Sequence, residues 1–267
     1  MHPIEHLRYV ARSGGGDPGD LAREAAFALG SLRADPANLV VASRRMIERH
    51  PDAGPMWWLC AQLLVSDDPS TLAWELADVL MDDPVTARLT SALPADGAVV
   101  TVGYPPTIAD ALVGRDDLRV WCADSEFRAG DLVRRLDRAE VAAEPITHDQ
   151  LPAAVADADL VLIEAAAACD RRVLTTLGSQ VLAATASSAG TPVWLVTPTG
   201  TRIPHQYVAE VARRAIPDDD GWGASVDDLP IDLVDVVINA DGRSTQVGVA
   251  LRSECPFAPE LLRTGIV

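Results

Sequence analysis

Three side chains able to carry a proton or attack a carbonyl stand where apolar runs end: Asp124 closing LRVWCAD, Glu164 after DLVLI, and Cys169 just beyond it. A carboxylate held in a cleft by a strand end can do general acid–base work or accept the hydroxyls of a ribose. No Gly-x-Gly-x-x-Gly precedes Asp124, which argues against a dinucleotide site. His2, His6, His148 and His205 show no metal-ligand spacing, and no Gly-x-Ser-x-Gly elbow or nucleophile–base constellation occurs. Cys60, Cys122, Cys169 and Cys255 lie far apart with no CxxC pair, so they read as reduced, mostly structural thiols, and no metal site is expected.

The elements that must position such groups can be read from periodicity. DLVLI at 159–163 is an apolar run too short for a helix, and reads as a strand buried on both faces. Helical spacing then covers 173–190 and stops at Gly190, and PVWLVTP at 192–198 is a second buried strand. Strand, crossover helix and strand make a parallel unit, whose ligand sites lie at the strands' carboxyl ends, here 164–169 and 197–202. VTVGYPPTIADAL at 100–112 is another strand, running through a turn into a helix. Such a turn can present amides to an anion, but Pro105 and Pro106 remove two donors, and a plain connector is the competing reading. ARSGGGDPGDLAREAA at 11–26 is a Gly-rich loop feeding a helix, an arrangement that could cradle a phosphate with backbone amides and the helix dipole. A flexible linker is the alternative, which the repulsive Asp17 and Asp20 favour.

The remaining chain divides in two. Residues 1–92 read as an all-helical N-terminal domain, with amphipathic segments at 20–32, 37–50, 55–65 and 69–83, and with Trp57, Trp58 and Trp74 as packing residues. Residues 93–267 alternate strand and helix, an α/β pattern that predicts a Rossmann-like domain with a mainly parallel sheet. Within it, 118–124 and 233–242 read as strands and 139–147 holds a weak one, FRAGDLVRRLDRA and 203–216 read as helices, and the acidic stretch 217–228 as a solvated connection.

Composition removes several function classes. A net charge of −17 over 267 residues argues against binding nucleic acid by phosphate neutralisation. Every basic side chain apart from histidine is arginine, since the chain contains no lysine, which excludes Schiff-base chemistry, pyridoxal phosphate anchoring and a P-loop lysine. No apolar run reaches the roughly 18 residues that span a membrane, and MHPIEHLRYV lacks the layout of a signal peptide, so a cytoplasmic protein without a membrane partner is expected.

Residues 158–199 resemble the alpha, beta and delta subunits of eukaryotic initiation factor 2B and their relatives, methylthioribose-1-phosphate isomerase and ribose-1,5-bisphosphate isomerase. The resemblance lies in Asp159–Ile163 followed by Glu164-Ala165-Ala166, in Thr175-Thr176-Leu177-Gly178-Ser179 and in Pro198-Thr199. It extends to Thr101-Val102-Gly103-Tyr104, which follows the factor's Thr-His-Gly-Tyr, and to Asp124-Ser125 with Glu126-Phe127 where the family has Arg-Pro. The resemblance implies that the isomerases' Cys falls on Gly103, their acid–base Asp on Ala166 and their Asn-Lys pair on Thr175-Thr176. It further implies Arg12, Gly14, Gly15, Gly103, Tyr104, Thr107, Asp124, Glu164, Thr176 and Gly178 as ligand-binding positions, with no catalytic residue and no cofactor. The function expected is a non-catalytic, homodimeric protein that holds a phosphorylated sugar or nucleotide in a remnant cleft. The alternatives are an aldose–ketose isomerase with relocated groups, Glu164, Asp124 or Cys169, and a ligand-free scaffold.

Overall fold

The computed structural model describes residues 17–30, 36–217 and 221–263. The expected apolar runs form the middle of one sheet: β1 (Ala98–Val102), β2 (Arg119–Ala123), β3 (Ala142–Ile146), β4 (Leu160–Cys169), β6 (Val193–Val196) and β8 (Val236–Asn239). These six run parallel in the order β3-β2-β1-β4-β6-β8, and β9 (Gly242–Ser244) closes one edge antiparallel to β8. The chain is thus α/β, with a helical N-terminal region and a mostly parallel sheet, as the pattern predicts. The strand order reverses between β1 and β4, and in such sheets the crevice at the carboxyl ends of that pair is where ligands bind.

β4 is twice the length expected from DLVLI. Its first half pairs in parallel with β1 and β6, for example Val161 with Val100 and with Val193, and its second half pairs antiparallel with β5 (Arg172–Thr175). The helix expected from 173 therefore starts late. Val173, Leu174 and Thr175 suit the free edge of the β4 overhang, Gly178 breaks the chain at φ +92°, and the helix α9 occupies Ser179–Ala189. β5 in turn recruits β7 (Asp227–Leu229), so the end of the supposedly solvated acidic stretch is strand.

The N-terminal segments form α1 (Pro18–Gly30), α2 (Pro36–Arg49), α3 (Gly54–Val65), α4 (Pro69–Met81) and α5 (Val85–Ala92). Helices α1–α4 share one core with the overhang of β4, with β5 and with α10 (His205–Ala215). Trp57 and Tyr207 meet there with ring centroids 5.2 Å apart. Trp57 and Trp58 are buried as expected, but Trp74 is 59% exposed, tilted against Phe27 on the surface. α5 packs differently: Val85 and Leu89 join Leu160, Trp194 and Val236 in the core on one face of the sheet. The sheet's other helices are α6 (Pro106–Leu112), α7 (Ala129–Arg138), α8 (Leu151–Asp157) and α11 (Val247–Ala250). Among the described residues no helix is long and apolar enough to cross a membrane.

Candidate functional site

β1 ends at Val102, and Gly103 turns the chain with φ +69°, a conformation that L-residues with side chains rarely adopt. A β-carbon on Gly103 would sit 3.3 Å from both Ser125 Cβ and Thr176 Cγ2, so this turn, the β2 end and the β5 end converge. Pro105 and Pro106 then start α6. Pro105 offers no side chain to cap the helix, and the amide of Ile108 would be an orphan donor. Glu164, on the neighbouring strand, supplies the cap: Ile108 N–H donates to Glu164 Oε2 at 3.1 Å and Thr107 Oγ1 to Oε1 at 3.2 Å.

Burial pushes the Glu164 carboxyl up to about 8 from the ordinary carboxylate range, and the charge of Asp17 acts in the same direction. The bonds from Ile108 and Thr107 oppose the rise without cancelling it. Glu164 lines a chamber of about 350 Å³ together with Thr107, Asp110, Asp83, Asp17 and Thr199. Asp17 is itself raised, first by burial and then by the charges of Asp20 and Asp110.

The chamber shares Asp17, Asp20, Asp110 and Ala166 with a larger cavity of about 1010 Å³. One wall of that cavity is α7. Its apolar face, Leu132, Val133 and Leu136, packs into the sheet core, which turns Arg134, Arg135 and Arg138 toward the cavity beside Arg128. Arg135 donates to Tyr104 Oη at 2.9 Å and is paired with Asp110, while the Arg128 guanidinium lies 5.3 Å from the Tyr104 ring centroid. The cavity is also lined by the carboxylates of Asp17, Asp20, Asp52, Asp110, Glu126 and Asp131. The floor is Ala166, against which α3 presses so closely that a β-carbon on Gly54 would fall 2.4 Å from the Ala166 carbonyl oxygen.

Of the positions singled out by sequence, Tyr104 and Thr176 line the large cavity and Thr107 and Glu164 the chamber. Gly103 and Gly178 shape the turns behind them; a β-carbon on Gly178 would lie 3.2 Å from Val102 Cγ2. Asp124 has a structural task, accepting the Ala129 N–H at 3.1 Å at the start of α7. Cys169 is buried in the core beneath the N-terminal helices. Arg12, Gly14 and Gly15 lie outside the described residues. Sequence reasoning passed over Arg134, Arg135, Arg138 and Asp110. The signal available was the repeat of arginines on the polar face of FRAGDLVRRLDRA, which looks the same whether that face meets solvent or a cleft.

No protein-family model matches the chain, and no curated protein matches it. Solved structures do. Translation initiation factor eIF-2B from Pyrococcus horikoshii OT3 superposes with a TM-score of 0.74 at 15% identity, covering 91% of this chain and 97% of its own. The tetrameric eIF2B-beta2-delta2 complex from C. thermophilum gives 0.72 at 16% identity, covering 93% and 92%. 5-Methylthioribose 1-phosphate isomerase from Pyrococcus horikoshii OT3 gives 0.66 at 13% identity, covering 93% and 86%.

Proposed function

We propose that this chain, which has the fold of the initiation factor 2B subunits and of 5-methylthioribose 1-phosphate isomerase, is a non-catalytic relative of both that binds a phosphorylated sugar or nucleotide in its cleft. The observation that carries this reading is the pair Gly103 and Ala166. The family resemblance puts the isomerases' Cys and Asp at these two places, and neither residue here has an ionisable side chain. A positioned acid–base group contributes roughly 10² to 10⁴ in rate, so losing both removes the chemistry while leaving the cavity. The lining of arginine, aspartate and tyrosine favours a polar ligand over an empty scaffold, for which an apolar filling would be expected. The protein is further proposed to be cytoplasmic and to act as a homodimer, which light scattering tests.

A second reading, an isomerase with relocated groups, is favoured by Glu164. Its carboxyl, raised to about 8 in a cleft, could give and take a proton near neutral pH. Asp124, committed to α7, and the buried Cys169 offer it little help. Thermal-shift titration against sugar phosphates and nucleoside monophosphates tests both readings. Ligand at 100 times its dissociation constant adds about 2.7 kcal/mol. A selective shift without aldose–ketose interconversion by NMR supports the binding protein; interconversion lost in Glu164→Gln establishes the isomerase; no shift with any compound removes both.

A further inference from the structure

In a parallel sheet, the strand-end turn and the helix after it are the expected seat for a phosphate. Here that seat is taken. Pro105 and Pro106 have no N–H to give, the Ile108 N–H and the Thr107 hydroxyl are donated to Glu164, and α6 is only seven residues long. Directly beside α6, α7 presents Arg134 and Arg138, one helical turn apart on the same face, where side chains stand about 5–6 Å from one another. That separation lets two guanidinium forks close on a single phosphate. Among the described residues Arg138 makes no ion pair and Arg134 is held only by Asp131, in an exposed pair of a kind worth about 0–1 kcal/mol and readily exchanged.

We infer that the anion subsite of this cleft is the arginine face of α7, centred on Arg134 and Arg138 with Arg128 at its near end, and that it holds the phosphate of a phosphate monoester. The carboxylates of the same cavity select among such esters. Asp17, Asp20 and Asp52 repel a second phosphate and accept hydrogen bonds from hydroxyls, so the ligand carries its phosphate at one end and O–H donors at the other. The inference rests on the proposed binding function and assigns its anchoring residues.

Calorimetric titration with ribose 5-phosphate at low salt tests it. Arg134→Ala/Arg138→Ala is expected to weaken binding about tenfold or more, the loss typical of charge-assisted hydrogen bonds. Both side chains are exposed, so the unliganded melting temperature is expected to stay put and to certify the fold. Arg119→Ala, at the amino end of β2, controls for overall charge and is expected to leave affinity unchanged. Equal affinity of the parent and the double variant, or an equal loss in Arg119→Ala, overturns the subsite while the binding function stands. A parent protein that binds neither ribose 5-phosphate nor any other phosphate monoester overturns both.

Discussion

The carboxyl group of Glu164, on β4, accepts the backbone N–H of Ile108 at the start of α6 at 3.1 Å. This bond joins the two sides of the crevice where the strand order reverses. It leaves a titratable group with its oxygens engaged at the place where the fold would otherwise meet a ligand.

Glu164 is expected to make stability fall as pH rises. Its carboxyl titrates at about 8 in the folded chain and near 4.5 when unfolded, so between these values the native state holds a proton that the unfolded state has lost. The slope approaches about 1.4 kcal/mol per pH unit in that window, and the contribution is spent above pH 8. Glu164→Gln should flatten the profile. Denaturant melts of parent and variant from pH 5 to 9 check this; parallel curves would mean that Glu164 titrates normally.

Gly54→Ala should destabilise severely, by about 3 kcal/mol or more, because the added carbon meets the Ala166 carbonyl at the bulge of β4. Gly248→Ala, where nothing lies within 4 Å, should be neutral within about 1 kcal/mol. Urea midpoints of the two variants give the comparison, and similar values would contradict the close approach of α3 to β4.

Asp83 joins the α4–α5 corner to the loop after β6. It accepts from Thr199 N at 2.8 Å, Thr199 Oγ1 at 2.9 Å and Val85 N at 3.1 Å. Asp83→Ala should cost about 1.5–3 kcal/mol and raise amide exchange at Thr199. Unchanged exchange there would show that the loop is held by other means.

The thiols should be silent in the native protein. Burial pushes Cys60 and Cys122 up to about 12, and Cys255, less enclosed, to a similar value, so thiolate is scarce at pH 8. A disulfide reagent should titrate Cys60 and Cys122 only after denaturation. Rapid native labelling at either would point to local opening of its core.

Much of the architecture was legible because it follows from local pattern. The apolar runs of β1, β6 and β8, the start of β4 and the amphipathic periods of α1–α4, α7 and α10 could be placed within a few residues. β5, β7 and β9 could not, since their pairing depends on an overhang and an edge that exist only after the sheet is assembled. VTARLTSA, which became α5, carries only Val85 and Leu89 as buried anchors, too few to define a period. Glu164 was visible as a strand-end carboxylate, but its bond to Ile108 is a tertiary fact. Trp74 packs between helices, against Phe27 of α1, but at the surface, a depth that helical pattern alone does not show.

The meeting of Trp57 with Tyr207 also sets an order of events during synthesis. Helices α1–α4 leave the ribosome first, yet Tyr207, on the wall that completes their core, follows Trp57 by 150 residues. At roughly 5–20 residues per second, their apolar faces wait on the order of ten seconds for that partner. Premature chain termination before Tyr207 would release a fragment in which Trp57 lacks this partner ring.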